Sequence, residues 1–153
     1  MHAEAVRAVH DATLVACCDL DKAAAEAFAT AHGITSAFAD IEQMLSDSQP
    51  DVVHVLTPPR SHRALVEACA RHRAHVYVEK PLASNEMDAR AILACADAAG
   101  IRICPGHNRL FDPPFGTSSS RQGGRRWAST ISTCRTGFLI RPRGAFGENA
   151  VEL

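Results

Sequence analysis

The chain has 153 residues, of which 46% are hydrophobic and 22% charged, as in an ordinary soluble domain. Its net charge of −1 excludes the basic surface typical of nucleic-acid-binding proteins. No apolar run reaches the roughly 18 residues of a membrane span, and the N-terminus MHAEAVRAVHDA is unlike a signal peptide. We therefore expect neither a nucleic acid nor a membrane as a partner.

The six cysteines indicate neither a disulfide framework nor a zinc site. Cys17 and Cys18 are adjacent, the others stand singly, and there is no C-x-x-C pair. Most lie in apolar segments, which predicts buried, reduced thiols and a cytoplasmic location. His72 and His75 have no acid or cysteine at ligand spacing, so we expect no metal site.

Helix-forming segments alternate with apolar runs along the first 105 residues. In chain order the pattern predicts a helix in 1–9, a strand over 13–20, a helix over 21–33, a short strand, a helix over 40–45, a strand over 52–57, a helix over 62–72, a strand over 75–79, a helix over 85–99 and a strand over 101–105. The expected helix-capping residues are Asp21, Asp40, Ser61 and Ser84 at the N-termini, with Gly33 and Gly100 at C-termini.

This alternation predicts an α/β fold with a doubly wound parallel sheet. Helices of 10 to 15 residues between strands favour parallel pairing, and continuous apolar strands indicate that both faces of the sheet are covered. Ligands of such folds lie at the carboxyl ends of the strands. The residues that follow each strand are therefore the candidates for function.

Asp19 ends the first visible strand, where a dinucleotide-binding fold has an acid that accepts hydrogen bonds from ribose hydroxyls. It could equally be a turn or capping acid. The glycine loop of such a site, G-x-G-x-x-G, is absent from the sequence. If Asp19 ends the second strand of the fold, the first strand and its glycine loop would precede residue 1, and the sheet would have an unpaired central position.

The motif Thr57-Pro58-Pro59 joins a strand to a helix. Its two prolines predict a rigid, extended loop. Such a loop can present Thr57 and backbone groups to a ligand, or it can be an ordinary connection. His62, in the first turn of the next helix, could pack against its neighbours or cap that helix.

Glu79-Lys80-Pro81 is the most specific local motif. Lys80 follows a strand, so it can hydrogen-bond a substrate oxygen while Glu79 fixes its position. The alternative is that Glu79 and Lys80 form a surface ion pair, which contributes little to stability. After the last strand, Asn108 and Arg109 are donors suited to a hydroxylated or anionic substrate.

The composition changes after about residue 115. Residues 116–153 contain six Arg, no Lys and two acidic residues, and they are rich in Ser and Gly. They show no sustained hydrophobic periodicity of a helix or a strand. We therefore expect an irregular or disordered tail with at most one short strand in WASTISTC. The predicted domains are thus 1–115 and a tail over 116–153.

Several segments together resemble the Gfo/Idh/MocA (glucose–fructose oxidoreductase/inositol dehydrogenase) family. They are LVACCDLD, AFATAHGI, DIEQML, PDVVHVLTPPRSH, HVYVEKPLA and AAGIRICPGHNRLFDP. The resemblance covers residues 1 to about 115. It implies an NAD(P)-binding Rossmann domain, in a family whose members oxidise or reduce sugars, inositols and related polyols and in which homo-oligomers are an option.

The resemblance also implies roles for individual residues. Asp19 would bind the adenosine ribose, and the cofactor cleft would be lined by Thr57, Pro58 and Pro59, with His62 nearby. Glu79 would help position the nicotinamide, and Lys80 would act as the catalytic residue. The substrate would be bound by Asn108 and Arg109. The acid at Asp19 followed by Leu20 favours NAD, and Lys22 nearby leaves NADP open.

The chain departs from the family in lacking the glycine loop and the D-x-x-x-H motif of the substrate domain. We therefore expect an incomplete, inactive form of a dehydrogenase, with cofactor binding weakened or lost. The alternative is a non-catalytic module that binds a nucleotide or another protein.

Overall fold

The computed structural model describes residues 2–106 and the backbone of residues 134–139. The elements are α1 (His2–Arg7), β1 (Ala12–Cys18), α2 (Lys22–His32), β2 (Ser36–Phe38), α3 (Ile41–Ser48), β3 (Val52–Val55), α4 (Pro59–Arg71), β4 (His75–Val78), α5 (Glu86–Ala99), β5 (Ile103–Pro105) and β6 (Cys134–Leu139). The predicted alternation of helices and strands over 1–105 is confirmed, with shorter strands than the apolar runs suggested.

The described strands form one six-stranded sheet in the order β2-β1-β6-β3-β4-β5. Each adjacent pair in this sheet is parallel. The carboxyl ends of these strands consequently meet at one edge of the sheet. The predicted fold class, an α/β parallel sheet wound on both faces, is confirmed.

Local capping explains where three of the helices begin or end. Asp21 accepts hydrogen bonds from the backbone N–H groups of Ala23 and Ala24 at the start of α2, and Asp40 accepts one from Gln43 at the start of α3. Gly33 and Gly100 end α2 and α5 with φ of 57° and 67°, a left-handed conformation that favours glycine. The sequence predicted all four of these caps.

Two predicted N-caps were wrong. Helix α4 begins at Pro59 with Pro58 as the cap, so Ser61 lies inside the first turn. Proline suits the first helical position because its φ is preset and its missing N–H would have had no helical partner. Helix α5 is capped by Asn85, whose side chain accepts from the N–H of Asp88, one residue beyond the predicted Ser84.

The core lies on both faces of the sheet. The alternation along β1 sends Ala16 and Cys18 to one face and Cys17 to the other. The larger cluster gathers apolar residues of α3, α4 and α5 around β3 and β4, including the fully buried Met44 and Ile92. The smaller one packs α1 and α2 against β1.

Strand β6 differs most from the sequence-based expectation. It pairs with β1 on one side and β3 on the other, so the central position that we expected to be unpaired is filled. These six residues come from the segment expected to be irregular. The predicted strand WASTISTC lies, except for Cys134, outside the described residues, as does the rest of the tail.

The cysteines of residues 2–106 are free thiols. Cys17, Cys18 and Cys69 are buried, and burial raises the pKa of the Cys17 thiol to about 11 and that of Cys18 to about 12. Cys95 and Cys104 are half-buried. The predicted burial is therefore confirmed for Cys17, Cys18 and Cys69 and not for Cys95 and Cys104.

Candidate functional site

A cleft of about 280 Å³ opens at the carboxyl edge of the sheet. It lies where β1 ends, where α3 begins and where the loop from β3 enters α4. The residues that line it are Cys18, Asp19, Leu20, Ala39, Asp40, Ile41, Thr57, Pro58, Arg60, Ser61 and Leu65. Apolar side chains, two carboxylates and two hydroxyls thus face one cavity, a combination typical of small-molecule sites.

Asp19 is the most unusual residue of the cleft, because it is an acidic residue that is only 3% exposed. One oxygen, Oδ1, accepts a hydrogen bond of 2.9 Å from the backbone N–H of Asp21. The other, Oδ2, is buried and has no hydrogen-bond partner among the described residues. A buried carboxylate oxygen is costly without a donor, so this atom could accept a hydrogen bond from a hydroxyl or N–H group.

The Thr57-Pro58 loop forms the opposite wall. The hydroxyl of Ser61 lies 2.8 Å from Thr57 Oγ1 and 2.8 Å from the carbonyl oxygen of Pro58. These contacts fold the first turn of α4 back on the loop. The loop is thereby held rigid at the mouth of the cleft.

His62 ties this loop to the turn after β4. The side chain is fully buried, with Nε2 2.7 Å from the carbonyl oxygen of Thr57 and Nδ1 3.1 Å from that of Leu82. His62 does not line the cleft, and neither does Pro59. His62 therefore joins the two loops from outside the cleft.

The Glu79-Lys80-Pro81 turn follows β4 and contains a cis peptide bond before Pro81. Glu79 Oε2 accepts a hydrogen bond of 2.9 Å from the backbone N–H of Lys80. Glu79 Oε1 lies 3.2 Å from Nε2 of His2, at the start of α1. The Lys80 side chain is exposed, so it is available to a ligand above the edge of the sheet.

An aromatic cluster lies beside this turn. The His54 ring stacks on Tyr77 at a centroid distance of 5.0 Å, and His2 lies 5.4 Å from Tyr77 and 5.9 Å from His54. Burial, with the nearby His2 as the second cause, lowers the pKa of His54 to about 4. His54 is therefore a neutral, packed ring at neutral pH.

The structure brings the predicted site residues into two groups. Asp19, Thr57 and Pro58 share the cleft, and Glu79 and Lys80 share the turn. Asn108 and Arg109 lie outside the described residues. Sequence reasoning missed His2, because a histidine in a first helix has no pattern that predicts a partner 77 residues away.

A second pocket, of about 350 Å³, is polar and lies at the opposite edge of the sheet. The loops before β3 and β4 line it through residues such as Pro50, Asp51, His72 and Arg73. Since parallel α/β sheets bind ligands at the carboxyl ends of their strands, the Asp19 cleft is the better candidate.

Other kinds of site are not evident in the described part of the chain. Within it, no group of three His, Cys, Asp or Glu side chains is arranged to hold a metal ion. None of the described helices combines the length and the hydropathy required to cross a membrane.

Comparison with known proteins gives concordant results. Residues 1–107 match the Gfo/Idh/MocA family model, described as an oxidoreductase family with an NAD-binding Rossmann fold. A D-apiose dehydrogenase of Paraburkholderia graminis is 36% identical over 112 residues, which are 73% of this chain and 30% of that protein. An inositol 2-dehydrogenase of Rhizobium meliloti is 36% identical over 115 residues, 75% of this chain and 34% of that protein.

Solved structures show the same relationship. An oxidoreductase from Agrobacterium radiobacter in complex with NAD+, L-tartaric acid and magnesium has a TM-score of 0.67 at 31% identity, covering 72% of this chain and 32% of that one. The chain thus spans about a third of the length of the relatives that it matches.

Proposed function

Because the chain belongs to the Gfo/Idh/MocA family of oxidoreductases, we propose that it binds NAD in the Asp19 cleft as the nucleotide-binding part of a dehydrogenase. The proposed substrate is a sugar, an inositol or a related polyol, the class named in relatives such as inositol 2-dehydrogenase. The observation that carries the proposal is the buried Asp19 oxygen without a described partner.

The cleft suits the adenosine half of the cofactor. A ribose offers hydroxyl donors to the Asp19 carboxylate, which is the role of the acid at the end of this strand in dinucleotide-binding folds. Leu20 is 89% exposed, an unfavourable position for a leucine unless a flat apolar group covers it. Ile41 and Leu65 add apolar surface to the same cavity, which favours an adenine ring there.

The charges around the cleft favour NAD over NADP. Asp19 and Asp40 both line it, and two carboxylates would repel a 2′-phosphate. Lys22, which could have offset them, donates instead to the carbonyl oxygen of Ala37 and lies over the ring of Phe38. Arg60 is the basic residue in the lining of the cavity. It is therefore the residue that would bind the 2′-phosphate if NADP competed with NAD for the cleft.

The Glu79-Lys80 turn is the proposed site of action on the substrate. The chemistry that NAD supplies when bound is acceptance of a hydride. We assign Lys80 Nζ to a hydrogen bond with the oxygen of the reacting hydroxyl, while Glu79, held by His2, fixes the turn. Asn108 and Arg109 remain proposed substrate donors.

A binding experiment tests the cofactor proposal. Isothermal titration of the purified chain with NAD, NADP and ADP-ribose should show a higher affinity for NAD than for NADP. Asp19→Asn should weaken NAD binding at least tenfold, because the neutral amide loses charge-assisted acceptance from the ribose. Asp47→Asn, an exposed change on α3, is the matched control. Undetectable binding of NAD and ADP-ribose to the folded wild-type chain would refute the proposal.

The alternative function is a nucleotide-binding module without turnover. The Asp19 cleft is formed by described residues alone, which favours nucleotide binding by itself as the second candidate function. NADH formation from myo-inositol and NAD would support the dehydrogenase function in this chain. Binding without NADH formation would support the module.

A further inference from the structure

The pocket at the opposite edge of the sheet, called here the amino-edge pocket, has the size of a site for a small molecule. Its volume is about 350 Å³, at the lower end of the range of ligand sites. Helices α3 and α4 each begin at the Asp19 cleft and end at this pocket. The backbone N–H of His75 donates to the carbonyl oxygen of Asp51 over 2.8 Å, which ties together the two loops that form its walls.

Arg73 gives this pocket a cation that has no partner in the described part of the chain. Arg71, two residues earlier, is paired with Glu42. Within residues 2–106, by contrast, no hydrogen bond or ion pair engages the guanidinium of Arg73. A guanidinium in the lining of a pocket can bind the carboxylate of a ligand through paired hydrogen bonds.

The backbone holds two residues of the pocket in an unfavourable conformation. Gln49 and Arg73 have φ of 43° and 57°, and among the described residues they are the non-glycine positions with positive φ. This region costs such a residue about 1 kcal/mol or more, and residues of this kind cluster at binding sites. Both follow a helix end, where glycine usually adopts this conformation. Each is instead a polar residue that lines the pocket.

The remaining polar groups of the pocket accept hydrogen bonds. Asp51 follows α3 and lines the pocket, and one carboxylate can accept several hydrogen bonds at once. The carbonyl groups in the last turn of a helix such as α3 carry partial negative charge. Nε2 of His72 lies 3.0 Å from Oε2 of Glu42, so in the neutral ring Nε2 is the donor and Nδ1 is an acceptor.

We propose that the amino-edge pocket binds a small zwitterion of the α-amino-acid type, with its carboxylate on Arg73 and its ammonium group on Asp51. The lining carries one cation and one carboxylate, so a ligand with both charges matches it better than a simple anion or cation does. Ser46 and Gln49 add a hydroxyl and an amide, which suit a polar side chain such as that of serine. The helix ends agree, since helix C-termini favour a positive group whereas helix N-termini favour phosphates.

The test is an NMR titration of the isotope-labelled chain with L-serine, ethanolamine and glycerate. L-serine carries both charges, ethanolamine lacks the carboxylate, and glycerate lacks the ammonium group. L-serine should bind about tenfold more tightly than either, since one charge-assisted contact is worth about that factor. The amide signals of Gln49, Asp51 and Arg73 should shift, while those of Asp19 and Leu20 should not.

Two variants separate the two charged contacts. R73Q should bind L-serine about tenfold more weakly and ethanolamine like the wild-type chain, because only the carboxylate contact is lost. D51N should weaken the binding of both compounds. R90Q removes an exposed arginine of α5 and is the matched control, so wild-type affinity for L-serine is expected.

The inference is wrong if L-serine binds no more tightly than ethanolamine and glycerate, or if its signals shift at the Asp19 cleft instead. A loss in R90Q as large as that in R73Q would also overturn it. Should R73Q fail to fold, the three compounds on the wild-type chain decide the matter, since that comparison needs no variant. NAD binding is measured at the other edge of the sheet, so the cofactor proposal stands or falls separately.

Discussion

Nε2 of His2 lies 3.2 Å from Oε1 of Glu79, so the start of α1 is joined to the turn after β4 across 77 residues of sequence. Both side chains are partly shielded, with exposed fractions of 25% and 32%. The second carboxylate oxygen of Glu79 accepts a hydrogen bond from the backbone N–H of Lys80. One carboxylate therefore connects a helix at the beginning of the chain to the residue proposed to meet the substrate.

This connection predicts that Glu79→Ala will cost more stability than removal of an ordinary surface acid. The change removes two contacts in a half-buried setting, and we expect the free energy of unfolding to fall by about 1 kcal/mol. Glu86→Ala, which breaks an exposed pair with Arg90, should cost under about 0.5 kcal/mol. Urea unfolding measures both, and equal losses would argue against the connection.

His62 should be among the residues most sensitive to substitution outside the apolar core. His62→Ala removes the ring that lies between the carbonyl oxygens of Thr57 and Leu82, and with it the one N–H that a neutral imidazole can donate to either of them. A cavity also forms, so the expected loss is about 2–4 kcal/mol. His10→Ala is the control, because that side chain is fully exposed and its loss should be close to zero. Thermal melts followed by circular dichroism would reveal the difference, and a loss of stability as small as that of the control would contradict the role of His62.

Much of the fold could be predicted because its determinants are local. A capping residue acts within one turn of its helix. The sequence therefore predicted the helix ends that are capped by Asp21, Asp40, Gly33 and Gly100. The positions of Asp19 and Lys80 at the carboxyl edge followed from the order of elements. The start of α4 was missed because proline and serine compete for the same turn, and the backbone resolved this in favour of Pro59.

What could not be predicted depends on contacts between distant segments. Residues 134–139 have little apolar pattern of their own, and they become a strand because β1 and β3 offer unpaired edges on both sides. The contact between His2 and Glu79 likewise exists only once α1 is packed on the sheet. Neither has a local signal in the sequence.

Stability should fall in mild acid because of His54. Its pKa is lowered from 6.5 to about 4 by burial and by His2, so between these values the unfolded chain binds a proton that the folded chain does not. The free energy of unfolding should therefore decrease as the pH drops from 6.5 to 4, by at most about 3 kcal/mol from this residue. Urea unfolding at several pH values measures the slope.

The matched variant for this pH effect is His54→Phe, which retains a ring against Tyr77 and cannot titrate. Carboxylates contribute to the slope in both proteins, so the difference between the two proteins isolates His54. A shallower decrease in His54→Phe is expected. Identical slopes would mean that the protonation of His54 is not linked to unfolding.

Two glycines should respond to alanine for different reasons. A Cβ on Gly106 would lie 2.5 Å from Tyr77 Oη and 3.3 Å from the carbonyl oxygen of Val78, so Gly106→Ala should cost about 1–3 kcal/mol through the clash. Gly100 has open space around it but a φ of +67°, so Gly100→Ala should cost about 1 kcal/mol through the backbone alone. In a Tyr77→Phe background the loss at Gly106 should shrink while that at Gly100 stays the same. Chemical denaturation of Tyr77→Phe and of the four glycine variants measures this, and an unchanged loss at Gly106 would show that Tyr77 does not limit the space there.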